Sequence, residues 1–145
     1  MSRMQQTVLD RVSERPASAA LRQIREMALN ENVEVEQRTI VQPAHEVLSV
    51  WSIRLWNATL RARRFVGLVD LVRTLLKLSP EEEVEQIALR SGSKVGLVFF
   101  AVKTRQPIGA VISAKTDSDV RRSERNWEEA KGMQFPVLFT KSSVR

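Results

Sequence analysis

The chain has no cysteine, which removes disulfides, thiolate metal sites and cysteine nucleophiles together. This composition fits a reducing compartment. His45 is the only histidine, so no metal site built on two histidines can form. Without a partner in any motif, His45 reads as structural. No phosphate-loop or dinucleotide glycine pattern is present. Ser113-Ala114-Lys115 has the wrong spacing for a serine hydrolase motif. No stretch reaches the roughly 18 uncharged apolar residues of a membrane helix. The most apolar region, Val47–Leu78, is interrupted by Arg54, Arg61, Arg63, Arg64, Asp70, Arg73 and Lys77. Met1–Asp10 is polar and lacks the apolar core of a signal peptide. The expectation is a cytoplasmic protein with no membrane partner. Acids are also missing locally: between Glu85 and Asp117 there is no Asp or Glu.

What the chain does have is an ordinary globular composition, 43% hydrophobic and 28% charged over 145 residues. That length suits one domain with a core of its own. We expect a flexible N-terminal arm over residues 1–16, ending at Pro16, and a single α/β domain over 17–145. The net charge is +6, and 17 of the 23 basic residues are Arg. Arg presents a rigid fork of donors that matches phosphate, which favours a polyanionic partner. Arg-rich codon usage accounts for the composition equally well.

Along the chain, Ala20, Leu21, Ile24, Met27 and Ala28 fall on one side of a helix over 17–29. Residues 33–42 alternate, with Val33, Val35, Gln37, Thr39 and Val41 on one parity, as in a half-buried strand ended by Pro43. Helical spacing returns over 44–64, with a stripe of Val47, Leu48, Trp51, Leu55, Ala58 and Ala62. Gly67 is expected to break or bend it before a further segment reaching Leu78. Ser79-Pro80-Glu81-Glu82 matches a capping box and predicts a helix over 81–90 that stops at Gly92. The same match assigns the cluster Glu81–Glu85 to capping rather than to a metal. Val95–Val102 is a continuous apolar run, as in a strand buried on both faces. A polar turn and a second buried strand, 108–114, follow. Asp117–Lys131 reads as a helix capped by Asp117, with Val120, Trp127 and Ala130 inward, and 135–140 as a last strand. The fold class is therefore α/β (α+β), a mixed sheet of about four strands flanked by helices, with 95–102 antiparallel to 108–114.

The stretch Val95-Gly-Leu-Val-Phe-Phe-Ala-Val-Lys-Thr-Arg-Gln-Pro-Ile-Gly-Ala-Val-Ile-Ser-Ala-Lys, followed by Arg121-Arg122, Arg125, Trp127, Gly132 and Phe135-Pro-Val-Leu-Phe, resembles the core of the bacterial DUF2726 domain. That domain belongs to the PD-(D/E)XK nuclease-like superfamily. The resemblance covers residues 90–141 well and 17–48 loosely. It implies a restriction-endonuclease-like core and nucleic acid as the partner. It also implies acids on both hairpin strands and a lysine after them. Lys115 matches that lysine, whereas Gly96 and Ser113 stand where the acids would be. Holding Mg²⁺ for phosphodiester cleavage needs clustered carboxylates, so the expectation is a degenerate, non-catalytic nuclease scaffold with no cofactor.

Two basic groups are candidates for nucleic-acid binding. Lys115, Arg121, Arg122 and Arg125 gather around a helix N-terminus, an end that favours anions. The bland alternative is a solvated helix face with Arg125–Glu129 paired at i,i+4. Arg54, Arg61 and Arg64, with Arg63 and Arg73 nearby, lie along the apolar helices and can track a backbone or snorkel around the stripe. Trp51 and Trp127 sit on apolar stripes and belong to the core. Trp56 falls off its stripe and is the candidate interface residue. The alternative function is a protein–protein interaction module, as a homo-oligomer or a subunit of a bacterial assembly. An apolar excess at 65–78 is expected to be exposed there.

Overall fold

The computed structural model describes residues 17–29, 36–57, 62–130 and 135–141, except for the side chains of 62–65. The expected N-terminal arm, residues 1–16, lies outside the described residues, as do Val33, Val35, Ala58 and Arg61. Among the described residues, four helices flank a five-stranded mixed sheet in the order β1-β2-β3-β4-β5. The strands are β1 (Glu36–Pro43), β2 (Glu83–Ser91), β3 (Lys94–Ala101), β4 (Pro107–Ala114) and β5 (Val137–Lys141). Pairing is antiparallel from β1 to β4, and β5 lies parallel to β4. A parallel neighbour needs a crossover connection, and α4 (Asp117–Glu129) supplies it. The expected antiparallel pairing of 95–102 with 108–114 is present, with a bulge at Phe99/Phe100.

Both faces of the sheet are covered. On the first face, α1 (residues 17–28) and α4 pack over Ile87, Leu89, Val98, Phe100, Ala110, Ile112 and Phe139. On the second face, α2 (Ala44–Asn57) and α3 (Ala62–Leu76) pack over Val84, Phe99, Ala101, Val111 and Leu138. This double cover explains the continuous apolar reading of β3 and β4, whose successive side chains enter opposite cores. The last turn of α1, Ile24–Ala28, is π-helical, and Leu29 N–H donates to Ile24 O at 3.1 Å. Ser123 Oγ on α4 donates to the carbonyl of Ala28 at 3.0 Å, satisfying an acceptor left open at the helix end.

Several expectations are corrected. Residues 83–91 form β2, not a helix, because they pair along their length with β1 on one side and β3 on the other. Val84 enters the second core while Ile87 and Leu89 enter the first. The capping-box residues make a turn in which Glu82 N–H donates to Ser79 O at 3.0 Å. The carbonyls of Glu82 and Pro80 accept from Ala44 and His45, at 2.7 and 3.0 Å, and so cap α2. Gly92, at φ +59°, opens the two-residue β2–β3 hairpin loop rather than ending a helix.

β1 is an exposed edge strand, not a half-buried one, since Gln37, Thr39 and Val41 are exposed along with Glu36, Arg38 and Ile40. Gly67 does not break its helix. It lies inside α3, where an added Cβ would be 3.3 Å from Leu138 Cδ1, so it lets α3 approach β5. Thr116 rather than Asp117 caps α4, accepting from Asp119 N–H at 3.1 Å.

Candidate nucleic-acid interface

Ser113 and Gly96 lie on opposite faces of the sheet. Residues paired across antiparallel strands share a face: Gly96 is opposite Ile112, and Ser113 is opposite Val95. A Cβ on Gly96 would lie 3.2 Å from Leu29 and 3.3 Å from Ile112, inside the first core. Acids at these two positions would therefore not meet in one site. Among the described residues, no group of three or more His, Asp or Glu is placed to hold a metal. The cluster Glu81–Glu85 is dispersed by the turn and strand it occupies, and Glu85 pairs with Arg105 at 3.5 Å.

Lys115 follows the last residue of β4 and is exposed. Arg121, Arg122 and Arg125 are exposed on the outward side of α4, opposite buried Val120, Ser123 and Trp127. Arg125 and Glu129 form no ion pair, and no carboxylate among the described residues pairs with Lys115 or these three arginines. Along α4, Asp117 and Asp119 occupy the first turn, where the helix dipole favours anions, the outward arginines follow, and Glu128 and Glu129 sit in the last turn, where it does not.

The register adds three cations that the sequence reading missed. Arg90 is the penultimate residue of β2, Lys94 begins β3, and Lys141, beside Ala114, ends β5. With Lys115, the residue just past β4, four adjacent strands each bring a cation to the same end of the sheet. At about 4.8 Å per strand they form a rim roughly 14 Å wide. Lys141 lies 4.0 Å from Asp117, an ion pair between half-exposed groups that joins β5 to the start of α4. The rim includes the carboxyl ends of the parallel pair β4–β5, the edge at which open α/β sheets bind ligands. Reading 83–91 as a strand would have revealed it, because Arg90-Ser-Gly-Ser-Lys94 is then a hairpin with a cation on each arm.

Of Arg54, Arg61 and Arg64, only Arg54 has a described side chain, and it is not part of this surface. Arg54 belongs to α2, on the second face of the sheet, and its guanidinium lies 4.7 Å from the ring centre of Trp51. Arg61 lies outside the described residues, and the side chain of Arg64 is not among them. α4 packs on the first face and α2 on the second, so Arg54 does not share a track with the arginines of α4. Trp51 is buried edge-on to Phe99 with ring centres 5.7 Å apart, and Trp127 is buried against Phe135. Trp56 is 89% exposed. The expected apolar surface over 65–78 is mostly core: Leu68, Leu71, Val72 and Leu75 are buried, and only Val66 and Leu76 are exposed large apolar residues in that stretch among those described. No helix among the described residues is long and apolar enough to cross a membrane.

Comparison with known proteins identifies no relative: no family model, no curated protein and no solved structure matches the chain.

Proposed function

We propose that the protein is a non-catalytic nucleic-acid-binding accessory protein of the cytoplasm, gripping a phosphate backbone with the rim and the outer face of α4. The observation that carries this reading is the set Lys115, Arg121, Arg122 and Arg125, exposed and without carboxylate partners among the described residues. The net charge of +6 acts in the same direction. The order β2-β3-β4-α4-β5, with β5 parallel to β4, also supports the PD-(D/E)XK-like, DUF2726-like reading of the sequence. On that reading the catalytic motif is degenerate and takes no metal cofactor, but Gly96 and Ser113, on opposite faces of the sheet, are not both its acid positions. The contacts are with phosphates, so sequence preference is weak. Titration of labelled DNA and RNA at several salt concentrations tests it, since phosphate contacts release counterions and affinity falls steeply with salt. Absence of binding at low salt refutes it. A second reading, an interaction module, is favoured by Trp56, which stands exposed on α2.

A further inference from the structure

β1 is unlike β5. β5 has five residues, ends at Lys141, and is covered by α3 on one face and α4 on the other. β1 has eight residues, pairs without a bulge along β2, and carries exposed side chains on both faces from Glu36 to Val41. Among the described residues no strand pairs with its outer edge. Natural sheets blunt such an edge with charged side chains, proline, a bulge or a cover. β1 has Glu36 and Arg38, which pair with each other at 2.9 Å, and Pro43 as its last residue, but it has no bulge against β2, and Thr39, Ile40 and Val41 are left exposed among the described residues. Ile40 is 60% exposed on the α2 side of this strand. Above it, α2 is the helix that packs against β1 and β2, and Val50, Ile53 and Trp56 are exposed on it at successive i,i+3 positions.

We propose that β1 is a self-association edge, and that a second copy of this chain adds its own β1 antiparallel to it, making a ten-stranded sheet. The inference develops the interaction reading and does not depend on nucleic-acid binding. A two-fold axis perpendicular to the sheet keeps both α2 helices on one face, as an isologous interface requires. The register centred on Ile40 sets Ile40 against its mate, Thr39 against the partner's Val41, and Arg38 against the partner's Gln42. No like charges are opposed directly in that register. Val41 lies on the opposite face, and Val50, Ile53, Trp56 and Ile40, on the α2 side, leave on the order of 500 Å² of apolar surface on each copy. With the backbone of the strand, that approaches the roughly 800 Å² per partner of a stable interface. The rims of the two copies fall at opposite ends of the joined sheet, so dimerisation leaves both open. Each copy carries +6, so screening should strengthen association, whereas it weakens phosphate binding.

Sedimentation equilibrium of the full chain without nucleic acid is the test, at low and high salt. The expected mass is twice that of the chain, with tighter association at high salt. Ile40→Arg opposes two cations at the axis and should give monomer. Trp56→Ala should loosen the dimer about tenfold or more, in line with an interface hot spot. Both positions are exposed, and circular dichroism checks that both variants fold. A wild-type monomer at about 1 mM, the weak end of specific affinity, overturns the proposal. A dimer that Ile40→Arg leaves intact places the contact elsewhere and also overturns it. Insensitivity to Trp56→Ala overturns the part assigned to α2.

Discussion

An added Cβ at Gly96 would meet Leu29, Ile112 and Ile24 at 3.2, 3.3 and 3.4 Å. Gly96→Ala must push flexible apolar side chains aside, and should cost about 1–3 kcal/mol. Gly96→Asp places a carboxylate in the same apolar space and should cost about 3 kcal/mol or more. Urea unfolding of both variants measures the difference. Gly96→Asp combined with Ser113→Asp should acquire no Mg²⁺-dependent cleavage, because the two side chains lie on opposite faces of the sheet. Plasmid cleavage that vanishes on Lys115→Ala would contradict that. The three tryptophans separate by burial in the same way. Trp51→Ala and Trp127→Ala each empty a core and should cost about 3–5 kcal/mol. Trp56→Ala should leave monomer stability within about 0.5 kcal/mol, measured dilute so that association does not contribute. The sequence distinguishes these residues correctly, since 51 and 127 fall on apolar stripes and 56 does not.

The elements best read from sequence are those whose patterns are strong along their whole length: α1, β3, β4, α4 and β5. Segment 83–91 carries a weaker pattern under a strong local signal. Ser79, Pro80 and Glu82 satisfy the capping box, yet the eight residue pairs made with β1 and the eight made with β3 outweigh it. β1 is separated from β2 by two helices, so no local window contains that pairing, whereas β3 follows β2 after a two-residue loop and the capping-box match masked the hairpin. The alternation in β1 is real, but its meaning depended on whether helices cover it, and they stop short of its outer edge. The contact between Ser123 and Ala28 was similarly hidden, because it joins residues 95 apart. Ser123→Ala should leave a helix-end carbonyl without its donor and cost about 1–2 kcal/mol. Thermal unfolding checks this, and Ser118→Ala, at an exposed site on the same helix, serves as the control.

For the whole molecule, net charge pointed to a polyanion but not to a place. Four of the seven cations of the candidate site, Lys115, Arg121, Arg122 and Arg125, were legible because they are close in sequence, and all four are exposed. Arg90, Lys94 and Lys141 join them only through the register of the sheet. Arg54 departs because α2 packs on the other face. The central claim is that the rim and α4 bind phosphates. Titration of labelled single- and double-stranded DNA and RNA over a range of salt tests it most directly, for the native chain and for Arg121→Ala, Arg122→Ala and Arg125→Ala combined. The account predicts binding at low salt that falls steeply as salt rises. In the triple variant, affinity should drop and the salt slope should flatten by up to about three phosphate contacts. No binding at low salt, or a triple variant with the native affinity and slope, would contradict it.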